Sequence, residues 1–212
     1  MRKISVRYGK FPEILPLNSN FRPDRRLLKV VLEVEKEDLK QLGDFGETYR
    51  RLTQLFPSIK RHNCCHDSPR TKKIRAREGI PIREADVYAN IAHLTEHVII
   101  DLIGNIGELS SVSGVTCGHQ KPISRHDIFV ECPRRELGIF AINLALEVME
   151  NLSNGTVQKN RVKKLSKLAK VIQEGRGRGI TLTKIADNLG SSREEAKRLL
   201  EDYRRLTREK SE

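Results

Sequence analysis

The stretch Ala85-Asp86-Val87-Tyr88-Ala89-Asn90-Ile91-Ala92-His93-Leu94-Thr95-Glu96-His97-Val98-Ile99-Ile100-Asp101-Leu102-Ile103-Gly104 decides how this chain is read. Set out at about 100° per residue, Ile91, Leu94, Val98, Ile99, Leu102 and Ile103 cover most of a helix's circumference. Asn90, His93, Glu96, His97 and Asp101 share the one remaining stripe. A helix apolar on nearly every side is a buried helix. Ionisable side chains taken out of water without partners are costly. The stripe is therefore expected to face a metal ion, a wet cleft or a set of compensating polar groups.

His93-Leu94-Thr95-Glu96-His97 has the inverted zinc-peptidase pattern His-x-x-Glu-His. Histidines four apart stack on one helix face, so both imidazoles can reach one tetrahedral ion. Glu96 sits on the same face and can take a proton from a water that the ion has acidified. The expectation is a Zn2+ site with His93 and His97 as ligands and Glu96 as the catalytic base. A third protein ligand is needed. Glu136 is the candidate, with Glu131 and the cysteines as rivals; Glu147 shares a helix face with Glu136 and is read as an outer-sphere or solvated residue.

Outward from this helix, Leu28-Lys29-Val30-Val31-Leu32-Glu33-Val34 reads as a strand through its β-branched residues and partial alternation. Residues 1–26 show no period and hold three prolines, which disfavours a long helix and leaves an extended arm with room for one edge strand. A helix is expected from about Phe45 to Phe56, closed by Pro57. Residues 60–80 are basic and polar, hold His62-Asn63-Cys64-Cys65-His66, and are expected to form a loop. Residues 105–126, rich in Gly and Ser, are expected to do the same. Ile128-Phe129-Val130-Glu131 reads as a short strand. Pro133 begins a second helix to about Leu152, with Leu137, Phe140, Ala141, Leu144, Ala145 and Val148 as its core face. Asn154-Gly155 closes this part. The four cysteines, Cys64, Cys65, Cys117 and Cys132, include no Cys-x-x-Cys pair. Together with His66 and His119 they are better read as packed or loop thiols than as a second metal constellation.

Four segments from about Leu27 to Asn151 resemble the N-terminal domain of cyanophycin synthetase, the enzyme that builds an arginine-aspartate polymer. In order they are Val30–Val34; Leu55-Phe56-Pro57 before His62-Asn63-Cys64; the helix with His93–His97; and Val130-Glu131 leading to Glu136, Gly138 and Ala141. The resemblance implies a metal-dependent hydrolase that cuts the polymer, with His93 and His97 as ligands and Glu96 as base. This chain lacks the synthetase's ATP-dependent ligase domains, so polymer synthesis is outside its expected activity.

The remaining residues form a basic module. Residues 156–212 carry 16 Lys and Arg against 8 Asp and Glu, leaving 24 against 20 for the rest, within a net charge of +12. Val162, Leu165, Leu168, Ala169 and Ile172 mark a first helix. Thr181 can cap a second, and Ser191 or Ser192, each followed three residues later by glutamate, can cap a third. The segment Gly175-Arg176-Gly177-Arg178-Gly179 lies between the first two. Ile180–Leu200 resembles a helix-turn-helix, with Ala186 at the close approach and Leu189-Gly190 at the turn. Glu194 and Glu195 at the start of its second helix would repel phosphate, and Lys163, Lys164, Lys167, Lys170, Arg176 and Arg178 are the candidate phosphate contacts.

The whole reads as an α+β domain, residues 1–155, built round a buried metal-site helix, followed by a three-helix, helix-turn-helix-like module, residues 156–212. No apolar run is long enough to cross a bilayer and no secretion signal opens the chain, so a cytoplasmic protein without membrane partners is expected. The leading functional expectation is a zinc-dependent hydrolase of a peptide or related amide bond. The competing one is a DNA-binding regulator whose larger domain senses a metal or small ligand; a third is an assembly protein with a silent site.

Overall fold

The computed structural model describes residues 1–42, 45–62, 84–153, 156, 158–175 and 180–208. The strand expected near Leu28 is β2, Leu27–Glu33. It pairs antiparallel with β1, Arg2–Gly9, on one side and with β4, Arg125–Glu131, on the other. A further strand, β3, Gly114–Gly118, pairs antiparallel with β4 and completes the order β1-β2-β4-β3. The arm at the N-terminus thus supplies one edge strand. The Gly- and Ser-rich stretch expected to be loop supplies the other, because the cross-strand partner provides the hydrogen bonds that weak local propensity does not.

Alternation sorts the two faces of the sheet. Leu28, Val30 and Leu32 of β2, with Ile128 and Val130 of β4, face the helices and join the main core. Leu27 and Phe129 face the other way, where Ile14 and Phe21 of the N-terminal arm cover them in a small second core. Phe11 closes over Phe129 edge-to-face at 5.5 Å between centroids.

The helices are α1 (Lys36–Leu42), α2 (Phe45–Leu55), α3 (Glu84–Gly107), α4 (Arg135–Ser153), α5 (Lys159–Glu174), α6 (Leu182–Leu189) and α7 (Arg193–Thr207). The α3 helix lies on the sheet, flanked by α4, and Ile91, Leu94, Val98, Ile99, Leu102 and Ile103 are all buried. The all-round apolar pattern therefore has its structural cause. Sheet and helices make an α+β fold, as the pattern of elements implied.

The three C-terminal helices continue the same hydrophobic core through Leu165, Leu168, Ile185, Leu199, Tyr203 and Leu206. Tyr203 packs on Phe140 of α4, and Asn143 Nδ2 donates to the Leu206 carbonyl at 2.7 Å. Arg161 and Arg205 both reach Glu147. Glu147 is therefore a tie between α4 and the last helices. Thr181 caps α6 by accepting from Lys184 N, and Ser192, rather than Ser191, caps α7 by accepting from Glu195 N. Asn154-Gly155 and the arginines of the 175–179 segment lie outside the described residues. Among the described residues no helix is long and apolar enough to cross a membrane.

Candidate metal centre

The polar stripe of α3 is turned toward β3 and toward the 3-10 turn Pro57–Arg61 that follows α2. Glu96 and His97 are almost completely buried, at 3% and 4% exposure, so neither is a solvated surface group. His93 is half-buried. Its Nε2 stands 3.0 Å from His97 Nε2, edge-on, with ring centroids 4.5 Å apart. The remaining nitrogens are also engaged. His93 Nδ1 is 3.3 Å from Glu96 Oε2, and His97 Nδ1 is 2.8 Å from Nδ1 of His62, whose ring stacks on it.

Behind this group, Asp101 accepts from Ser58 Oγ and from Asn105 Nδ2, with His62 Nε2 at 3.7 Å from Oδ1. Burial pushes the Asp101 carboxyl above its ordinary value, against the hydrogen bond from Ser58 and the charge of His62. Burial likewise holds the His62 imidazole below its ordinary value, opposed by Asp101 and Glu96. On the other side, Thr116 of β3 donates to Glu96 Oε2. A Cβ at Gly114 would sit 2.6 Å from Glu96 Oε1 and 2.8 Å from Ile100 Cδ1. Only glycine lets β3 approach the carboxylate this closely.

Among the described residues these contacts are met by one order of protons. With Glu96 ionised and the imidazoles neutral, His93 must carry its proton on Nδ1 and accept on Nε2. His97 then donates from Nε2 and accepts at Nδ1, so His62 donates from Nδ1. Among the described residues, three imidazoles supply the three protons for these three contacts, all running toward Glu96. The two Nε2 atoms point at each other with one proton between them. Such a pair is the donor arrangement that a shared cation can take over, since two imidazole ligands of one zinc lie about 2.0–2.1 Å from it.

The same helices and strands carry a family signature. The sequence matches the model of the cyanophycin synthase-like N-terminal domain over residues 29–154. The chain belongs to this family. The family region runs from β2 through α4, holds His62, His93, Glu96, His97, Asp101 and Thr116, and stops before α5. Among curated proteins no match to the chain is found.

Within this cyanophycin synthase-like domain the structure does not bring Glu136 to the histidines. Glu136 is exposed in the first turn of α4, where its charge complements the helix dipole. Its neighbour Leu137 packs at the far end of α3, 3.4 Å from where a Cβ on Gly107 would lie. His93 is a further fourteen residues back, or about 21 Å along the axis at about 1.5 Å per residue. Glu131 is buried, but it pairs with Arg25 at 3.0 Å on the face of the sheet opposite α3. Among the described residues no group of three or more His, Cys, Asp or Glu side chains is placed to hold an ion. Cys64, Cys65 and His66 lie outside the described residues.

Cys117 and Cys132 are free thiols. Burial drives the Cys132 thiol up to about 11, and its Sγ donates to the Arg134 carbonyl, so it is a packed hydrophobe. His119 is taken by Asp127 at 2.9 Å. Periodicity within α3 picked out His93, Glu96 and His97. It could not pick out His62 or Thr116, which come from other elements. Asp101 was visible in the stripe, but its partners were not.

Proposed function

We propose that this cyanophycin synthase-like domain is a zinc-dependent hydrolase of a peptide or related amide bond, with His93 and His97 as ligands through Nε2. The observation that supports it is the part-buried pair of Nε2 atoms 3.0 Å apart, with a buried carboxylate on the same helix. Zinc held there would polarise a carbonyl and lower the pKa of a water toward about 7. Every other requirement falls on the chain's own residues.

His62 and Asp101 set the tautomer of His97. When Nε2 is a ligand it carries no proton, so the proton belongs on Nδ1 and is donated to His62 Nδ1. His62 then carries its own proton on Nε2, facing Asp101. The His62–His97 contact thus reverses direction without a proton leaving the pair. Outer partners of this kind typically govern metal affinity by about 10–100-fold. Glu96 is the general base. Thr116 fixes one of its oxygens, and Gly114 gives the carboxylate the room to stand against the strand. Glu136, at the start of α4 beside the distal end of α3, is too far from the histidines to serve as third ligand, and the sequence that follows His62 holds further donors in Cys64, Cys65 and His66.

The test is Glu96→Gln in the zinc-loaded protein, assayed on peptides and on the arginine-aspartate polymer. The expected result is loss of turnover with metal content unchanged. Turnover that survives this change would remove Glu96 from the chemistry and favour a sensing domain.

A further inference from the structure

The exposed face of α7 makes no use of the histidine site. Three residues, Gly190, Ser191 and Ser192, join α6 to α7, with Gly190 in the left-handed region at φ 60°. Two helices joined by a short glycine turn form the unit that places a second helix in the DNA major groove. The sequence sets two glutamates at the start of that helix, and the structure separates them. Glu195 pairs with Lys164 Nζ of α5 at 2.6 Å, while its backbone N–H bonds the Ser192 cap. Asp202, two turns on, is held by Arg161 at 2.9 Å.

What stays exposed at the start of α7 is Arg193, Glu194, Lys197 and Arg198. Among the described residues the three cations form no ion pair; Glu195 and Asp202 are engaged by Lys164 and Arg161, and Glu194 stays exposed beside them. Arg198 and Ser192 also line a cleft with Lys159 at the start of α5, and Lys159 is exposed. Single-strand binding relies on aromatic platforms. The aromatic of α7, Tyr203, is buried against Phe140. The charge and the geometry favour a duplex.

We propose that this face binds duplex DNA, with Arg193, Lys197 and Arg198 entering the major groove and Lys159 contacting a flanking phosphate. The binding is independent of the metal site. It is tested on the full chain by fluorescence anisotropy with a labelled mixed-sequence duplex of about 30 base pairs, at salt from about 50 to 200 mM. Binding should be measurable at the low end and weaken steeply with salt. The variant R193A/K197A/R198A should bind at least about tenfold more weakly with an unchanged Tm, and Lys159→Ala should reduce the salt slope by about one. The variant K10A/K121A, which removes two exposed charges elsewhere, should leave affinity nearly unchanged. Absence of binding at about 50 mM salt would overturn the proposal. So would equal losses in both multiple variants, or tighter binding to the single strand or to polyglutamate.

Discussion

At the residue scale, the site depends on one carboxylate held between a helix and a strand. Glu96 sits among His93, Thr116 and the bare backbone of Gly114. Gly114→Ala would drive a methyl group into Glu96 and Ile100. The expected outcome is a loss of about 1–3 kcal/mol of stability, seen by urea unfolding, and loss of turnover from the displaced base. His62→Ala should act differently. It leaves the two Nε2 atoms in place but removes the partner that fixes the His97 tautomer, so zinc affinity should fall by about 10–100-fold, read by competition with a chelator. Asp101→Asn should weaken zinc in the same direction, because an amide oxygen is a poorer acceptor for the His62 proton than a carboxylate. His93, Glu96 and His97 were legible in the sequence because helical spacing alone puts them on one face. His62 and Thr116 were not, since each lies twenty or more residues from its partner and only the packing of the 3-10 turn and β3 brings it in.

At the element scale, α3 was readable for a related reason. Its apolar residues fill every side but one, and the structure buries them against the sheet, α4 and α5. The strand at Leu27–Glu33 was visible through β-branched residues, and the tail helices through their period and caps. Strand β3 was hidden because glycines bound a run of only three residues, Val115-Thr116-Cys117, and its pairing with β4 decides its state. Helix α1 was missed for its brevity. The expectation that Glu136 completes the metal shell failed on length: the residue opens α4 at the distal end of α3. Glu136→Gln should therefore leave zinc content unchanged, whereas removal of a true third ligand lowers it. Elemental analysis of the variant distinguishes the two.

At the scale of the whole molecule, one core runs from the sheet into the C-terminal helices, so the basic module leans on the family domain through α4. Buried imidazoles make that core sensitive to acid. Burial, reinforced by His119, holds the His126 imidazole below its ordinary value, against the Ser124 carbonyl and Asp127. The unfolded chain takes up this proton at about pH 6.5, before the folded chain does. Stability therefore falls as pH drops below that point, until the folded imidazole titrates too. His62 contributes in the same sense. Urea unfolding between about pH 7 and 5 should show the decline, and His126→Gln should flatten it by at most about 1.4 kcal/mol per pH unit. Asp101 works in the opposite sense, since its folded carboxyl takes a proton above the ordinary carboxylate value.

On this reading the α3 stripe binds a metal. Its most direct test is elemental analysis of protein purified without a histidine tag and incubated with zinc, beside a variant with His93 and His97 both replaced by alanine. The expected result is about one zinc per chain in the first and none in the variant. No zinc in either, or equal zinc in both, would contradict it.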